Sequence, residues 1–280
     1  MTDSAIIHFP QEEVEDRVKY VLSVLPALGR NMLSYQESIS STPTESAEAD
    51  YRLMKKAETH IEDLLIQAIR SRFDNDWIYA EERDHLEGES EFAWWIDPLD
   101  GTRNFIHGVP LFSNAIGICF RDEPVAGVVQ VPALGEIYYA IYGGGSYKND
   151  RPIRVSGLEE VERSLIATGL PYNRKQIINE LMTNIAAFVS SGTGLRRSGS
   201  AVLDLCWVAE GRFEAYWERA LSPHDLCAAS VILREAGGKL TGFQGEPFQM
   251  HMGDVLASNS ILHPRLLNIL SEARRIEGMN

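Results

Sequence analysis

Apolar residues at Val14, Val18, Val21, Leu22, Leu25 and Leu28 recur every three to four positions, which predicts a helix over 11–35 with Pro26 as a candidate kink. A polar, turn-forming stretch, SSTPTES (40–46), separates it from a second helix over 50–73, whose buried stripe is Leu53, Ala57, Ile61, Leu64, Leu65 and Ile69. WIYA (77–80) reads as a short strand running into Glu81 and Glu82, and FAWWI (92–96) as another. From 113 to 142 the period changes. SNAIGICF, PVAGVVQV and EIYYAIY, separated by RDE and PALG, predict three antiparallel strands, and GGGSYKNDRPIRVSG closes that half with turn chemistry. The remainder alternates: SLIATG as strand, 175–190 and AVLDLCWVAEG as helices, and RFEAYWE as strand. SPHDLCAASVILREAGG follows as a helix, KLTGF and VLASN as strands, and a last helix starts at about 263. This order, helices, then mixed β, then alternation, predicts an α/β chain (α+β layered) folded as a sandwich. The expected division is an N-terminal α+β sub-domain over 1–155 and a C-terminal α/β sub-domain over 156–280 that completes the site.

Composition narrows the classes. At 280 residues, 44% hydrophobic and 24% charged, the chain can bury a sizeable core as one large domain or two sub-domains. No apolar run approaches the roughly 20 residues of a membrane-spanning helix, and MTDSAIIHFPQEEVED lacks a basic segment followed by a long apolar one. Cys119, Cys206 and Cys227 lie apart in apolar segments and read as reduced core thiols, so a cytoplasmic location is expected. The formal charge of −14 opposes binding to nucleic acid and to anionic membranes. It would also repel a phosphorylated metabolite unless a cation is recruited.

Residues 94–105, WWIDPLDGTRNF, supply the reason for recruiting one. Burying WWI carries Asp97 to the edge of the core, and a turn at Pro98 is expected to fold Asp100 back beside it. Two unpaired carboxylates there cost several kcal/mol in repulsion and desolvation. A hard divalent cation such as Mg²⁺, which takes one or two carboxylates and keeps positions open for water and phosphate, removes the difficulty. Gly101 and Thr102 would open a short helix, TRNFIH, whose first amides form an anion site. Asp225 falls in the first turn of a helix with Ser222 as N-cap and Pro223 at its first position; Glu81 and Glu218 end strands nearby. Taken singly, each of these acids reads equally well as a solvated or helix-dipole residue. Arg103 and His107 are candidates for a phosphate or second anionic group, which a solvated helix face explains equally, and Arg196 and Arg197 for a pocket or dimer rim, where sheet-edge charge is the commoner explanation. GGGS (143–146) is no P-loop, no serine sits in a nucleophile elbow, and the histidines lack zinc spacing.

At these residues the chain resembles the inositol monophosphatase family. WWIDPLDGTRNF is similar to the family signature W-[IV]-[IV]-D-P-[IL]-D-G-T-x-N-F, AEE (80–82) to the E-E pair before it, and HDLCAASVILREAGG (224–238) to the second signature. GLRRSGSAVLDLCWVAEGRFEAYWE looks like the segment leading into that motif, and the likeness runs in order from about 50 to 260. The resemblance implies an α-β-α-β-α sandwich and a homodimeric, often lithium-sensitive phosphomonoesterase dependent on two or three Mg²⁺, with Mn²⁺ able to substitute. Glu81, Asp97 and the Leu99 carbonyl match ligands of the first ion, and Asp97, Asp100 and Asp225 those of the second, with Glu81 also facing a weaker third. Glu81, Asp97 and Thr102 match the catalytic set. Gly101 and Thr102 match the phosphate turn, and Gly199, Ser200, Ala201, Glu218 and Asp225 the substrate contacts. In-line attack of water on phosphorus follows, with the cations acidifying the water and neutralising charge. The implied substrate is inositol monophosphate. Histidinol phosphate, fructose 1,6-bisphosphate and 3′-phosphoadenosine 5′-phosphate are alternatives, and a weakly active regulatory relative is another. Two departures stand out. The family's D-x-V-T-x-x-D element, whose last Asp helps the threonine activate water, falls on DYRLMKKAE, placing Lys55 at its threonine and Glu58 at that Asp. Glu58 or Asp50 can serve there, while a solvated helix face accounts for both. His224 stands where tryptophan is usual.

Overall fold

The computed structural model describes residues 8–40, 46–171 and 175–277. The expected loop over 40–46 falls, between its end residues, outside them. Helix α1 (Gln11–Ser40) runs through Pro26 without ending and is longer than its apolar stripe predicts. Helix α2 (Ala47–Arg70) starts earlier than predicted because Ser46 caps it, accepting the Ala49 amide at 3.2 Å. Val14, Val18, Val21, Leu25 and Leu28 of α1 and Ala57, Ile61, Leu65 and Ile69 of α2 bury most of the predicted stripes against the first sheet, joined by Met32, while the predicted Leu22, Leu53 and Leu64 are only partly buried.

That sheet takes its strands in chain order: β1 (Trp77–Ala80), β2 (Phe92–Asp100), β3 (Ser113–Phe120), β4 (Glu123–Val131), β5 (Glu136–Ile141), β6 (Gly145–Lys148) and β7 (Arg151–Ile153). Only β1 and β2 are parallel; every later pair is antiparallel. The passage read as turn-rich contains the β6–β7 hairpin, turned at Asn149 and Asp150 with φ of 47° and 61°. Both central residues at positive φ make the primed turn that matches strand twist.

After the short helix α3 (Thr102–Ile106) and the first sheet come β8 (Leu165–Thr168), α4 (Ile178–Ser190), β9 (Gly194–Arg196), α5 (Ala201–Ala209), β10 (Ala215–Glu218) and α6 (Pro223–Glu235). The chain closes with β11 (Lys239–Thr241), β12 (Val255–Ser258) and α7 (His263–Glu277). The second sheet is ordered β11-β12-β10-β8-β9. Helices α1 and α2 cover one face of the first sheet, and α6, beside α5, covers the other. Helix α5 then packs on the second sheet, whose far face carries α4 and α7. The result is the expected α-β-α-β-α sandwich. Its central layer is tight because Gly127 meets α6 directly: a Cβ there would lie 2.2 Å from the Ala228 carbonyl oxygen. All three cysteines are buried and free, as expected, although Cys119 and Cys227 bring their sulfurs to 3.5 Å. Among the described residues no helix is long and apolar enough to cross a membrane.

Candidate active site

Strand β2 does not stop at Ile96. It continues through Asp97-Pro98-Leu99-Asp100, so the turn expected at Pro98 is instead a bulge. Asp97 pairs with Ala115 and Asp100 with Ser113, three steps on β2 against two on β3. Proline has no N–H to give the ladder, which makes it tolerable only where pairing lapses. The extra residue has a further effect. In a regular strand, positions three apart point to opposite faces; one inserted residue restores the phase and puts both carboxylates on one side.

The neighbouring acids arrive from separate elements. The Ser222 amide and hydroxyl both donate to Asp225 Oδ2, at 2.7 and 2.9 Å, in a capping box that starts α6 with Pro223 in its first turn. The N-terminus of α5 holds Asp100, which accepts the Ala201 and Val202 amides at 3.2 and 3.0 Å and the Ser200 hydroxyl. Ser200 and the Ala201 amide, matched to the substrate wall by resemblance, are thus engaged with Asp100. Oxygens of Asp97, Asp100 and Asp225 lie within 4.8 Å of one another, an arrangement able to hold a metal ion. Glu81 lies close enough to Asp97 for their charges to interact, at the solvent-facing rim.

Crowding shows in the electrostatics. Burial, and then the charges of Glu81, Asp100 and Asp225, hold the Asp97 carboxyl well above the ordinary range. Asp100 is pushed up to about 6 by burial and Asp225, against the opposing hydrogen bonds from Ser200 and α5. Glu81 is pushed up to about 8, first by desolvation among the packed acids and then by Asp225 and Glu82, although its side chain stays open to water on one side. Burial likewise raises Asp225. The donors are all hard oxygens and the charges are uncompensated, so the residues fit a hard cation.

Glu58 is not on a solvated face. It is 8% exposed, and its Oε1 accepts the buried Thr102 hydroxyl at 2.8 Å. Thr102 Oγ1 also lies 2.9 Å from the Leu99 carbonyl. The side chain of Asp50 is not among those described. Lys55, in the place of the family's threonine, sets its ammonium 3.1 Å from Glu58 Oε2 and 2.6 Å from Glu82. One turn along α2, Glu62 accepts the Glu82 amide at 2.9 Å and the Arg83 guanidinium at 2.5 Å, fixing the loop that carries Glu81. Glu62 carries no signal in the sequence beyond a polar helical stripe, and Lys55 only its place at the family's threonine.

Gly101, at φ 83°, takes the left-handed turn from β2 into α3, and a Cβ there would press on the Leu111 carbonyl at 2.8 Å. Asn104, part of the first signature, ties α3 to the loop before Gly199 by donating to the Ser198 carbonyl at 3.0 Å. Glu218 is buried, accepts the Tyr216 hydroxyl, and is pushed up to about 7, mainly by burial. His224 packs its ring 5.1 Å from Trp95 and is lowered to about 4 by burial, so it stays neutral. Arg103, His107 and Arg197 are exposed, as is Arg196 on the edge strand β9.

Comparison with known proteins gives the family. The profile of the inositol monophosphatase family matches residues 22–275. An inositol-1-monophosphatase of Synechocystis sp. is 32% identical over 97% of this chain and 94% of its own length. The Nus factor SuhB of Vibrio cholerae is 35% identical over 81% of this chain and 84% of its own. The solved inositol monophosphatase of Anabaena (Nostoc) sp. superposes with a TM-score of 0.77 at 32% identity, covering 93% of this chain and 97% of that one. The chain belongs to the inositol monophosphatase family of phosphoric monoester hydrolases.

Proposed function

We propose that the chain hydrolyses a small phosphorylated alcohol, inositol monophosphate first among them, at the cluster of Asp97, Asp100 and Asp225. The convergence of these three carboxylates from β2 and α6 within 4.8 Å carries the reading. Glu81, Asp97 and the Leu99 carbonyl would hold one Mg²⁺, and Asp97, Asp100 and Asp225 a second, with Mn²⁺ able to substitute. When bound, such ions neutralise the phosphoryl group and acidify water. The chain's own groups do the rest. A hydroxyl proton serves one acceptor at a time, and a carboxylate outcompetes a carbonyl for it. Thr102 therefore donates to Glu58, which leaves the Leu99 carbonyl for a cation and turns the Thr102 lone pairs toward water. Amides at the start of α3, beyond Gly101, face the phosphate. Glu218, with the segment Gly199–Ala201 and Asp225, borders the alcohol. Water adds to phosphorus, the ester oxygen leaves and takes a proton, and alcohol and inorganic phosphate result.

The two sub-domains, 1–155 and 156–280, would share this site, in a cytoplasmic homodimer. The three free cysteines support the location. Exposed Ile178, Met182 and Val189, spaced along one face of α4, support a pairing surface. Phosphate release from inositol monophosphate, histidinol phosphate, fructose 1,6-bisphosphate and 3′-phosphoadenosine 5′-phosphate, with and without Mg²⁺, tests the reading. Release from none of them, or Asp97→Asn with undiminished turnover in saturating Mg²⁺, overturns it. A second reading, a regulatory relative of weak activity, is favoured by the kinship to proteins named Nus factor SuhB, and silence across the panel would select it.

A further inference from the structure

The acids around the proposed site outnumber the cations the fold supplies, and one cation stands inside them. Lys55 is half in solvent along its stem, yet its ammonium meets three carboxylate oxygens: Glu82 Oε1 and Oε2 at 2.8 and 2.6 Å, and Glu58 Oε2 at 3.1 Å. Lys55 and Glu58 lie three apart on α2, the spacing at which helical side chains meet. Glu82 comes from the loop after β1, where Glu62 fixes its amide. Glu58 is thereby engaged at both oxygens, Oε1 by a hydrogen bond from the Thr102 hydroxyl at 2.8 Å and Oε2 by the charge of Lys55 at 3.1 Å, an ion pair rather than a hydrogen bond. A glutamate has one more rotatable bond than an aspartate, so it needs a second anchor to present one oxygen steadily.

We propose that Lys55 is a positioning residue, a tethered counter-ion that separates Glu58 from Glu82 and aims Glu58 at Thr102. The inference rests on the phosphatase reading and deepens it, because Thr102 is the group that orients water there. Without the ammonium, Glu58 and Glu82 face one another directly, and Glu58 turns away from Thr102. Lys55 also opposes any divalent cation drawn to the same acids, so its removal tightens cation binding while turnover falls.

Four proteins test this: the wild type, Lys55→Met, Lys55→Arg and the double variant Lys55→Met/Glu82→Gln. Turnover of the substrate found in the phosphate-release panel is measured alongside calorimetric titration of the metal-free chains with Mg²⁺. For Lys55→Met the expected result is a kcat about tenfold lower or more with KM unchanged, and Mg²⁺ bound about threefold more tightly. Lys55→Arg keeps the charge and recovers most of kcat. The double variant removes the repulsion along with the counter-ion and recovers part of it, which a loss of packing alone would not allow. Lys55→Met with normal kcat and unaltered Mg²⁺ affinity overturns the proposal, as does a double variant no better than the single one. Should the wild type release no phosphate, the enzymatic reading fails by itself, while tighter Mg²⁺ binding in Lys55→Met still decides whether Lys55 acts as the counter-ion.

Discussion

Removing divalent cations should make this protein progressively less stable as pH rises from about 4 to about 7, opposite to the usual trend for surface carboxylates. Asp100 has its carboxyl at about 6 in the folded chain against 3.8 when free, and Glu218 at about 7 against 4.5. Between the free and folded values the native state binds more protons than the unfolded chain, so stability is fully present below about pH 4 and is lost as pH climbs to about 7. A shift of about 2 units in a largely buried group corresponds to about 3 kcal/mol. The two groups share one field, so that figure is the scale for the pair. For a chain of this size it amounts to a fall of about 6 °C in the melting temperature. Mg²⁺ binds the ionised carboxylates and cancels the penalty, so the stabilisation by Mg²⁺ should be small near pH 5 and largest near pH 8. The assay is thermal unfolding followed by tryptophan fluorescence across that range, in chelator and in excess Mg²⁺. Asp100→Asn, which keeps an acceptor for α5, should melt higher than the wild type in chelator at pH 8 and respond little to Mg²⁺. A Mg²⁺ effect that does not vary with pH, or an Asp100→Asn protein less stable in chelator, would refute the reasoning.

Three further outcomes follow from contacts at the site and beneath it. Thr102→Val removes the hydroxyl between Glu58 and Leu99 and should lower kcat by about a hundredfold or more, the low end for a lost proton-handling group, with KM unchanged in steady-state kinetics. Gly169→Ala places a Cβ about 2 Å from the Glu218 carboxylate, the movable end of a side chain. It should leave the urea midpoint intact yet raise KM by about fivefold, through displacement of a substrate-facing group. Gly127→Ala instead drives a Cβ into the Ala228 backbone and should cost about 1–3 kcal/mol in urea unfolding while weakening Mg²⁺ binding, because α6 carries Asp225.

The long elements were legible because each shows its own period. The α1 and α2 stripes and the β3–β5 runs needed no partner to be recognised. Strands β6, β7 and β9 were not, since GSYK, RPI and GLR carry no apolar run, whereas the equally short β1, β8 and β12 do. Asp97 and Asp100 could be picked out because a proline between two acids at a strand end is hard to explain otherwise. The bulge that turns them to one side depends on pairing with β3, which a linear pattern does not carry. Glu58 illustrates the harder limit. On α2 it follows Lys55 and precedes Glu62, a polar stripe indistinguishable from a solvated face until the 81–83 loop folds over it. Resemblance located the position, but only tertiary contact gave it a partner.

The capping box at the start of α6 leaves the protein with a built-in gauge. The Ser222 amide donates to Oδ2 of Asp225, so the same carboxylate that would grip a cation also sets the electron density around one backbone amide. The nitrogen and proton resonances of Ser222 should therefore register occupancy of the cleft directly, titrating with added ion before any substrate is present.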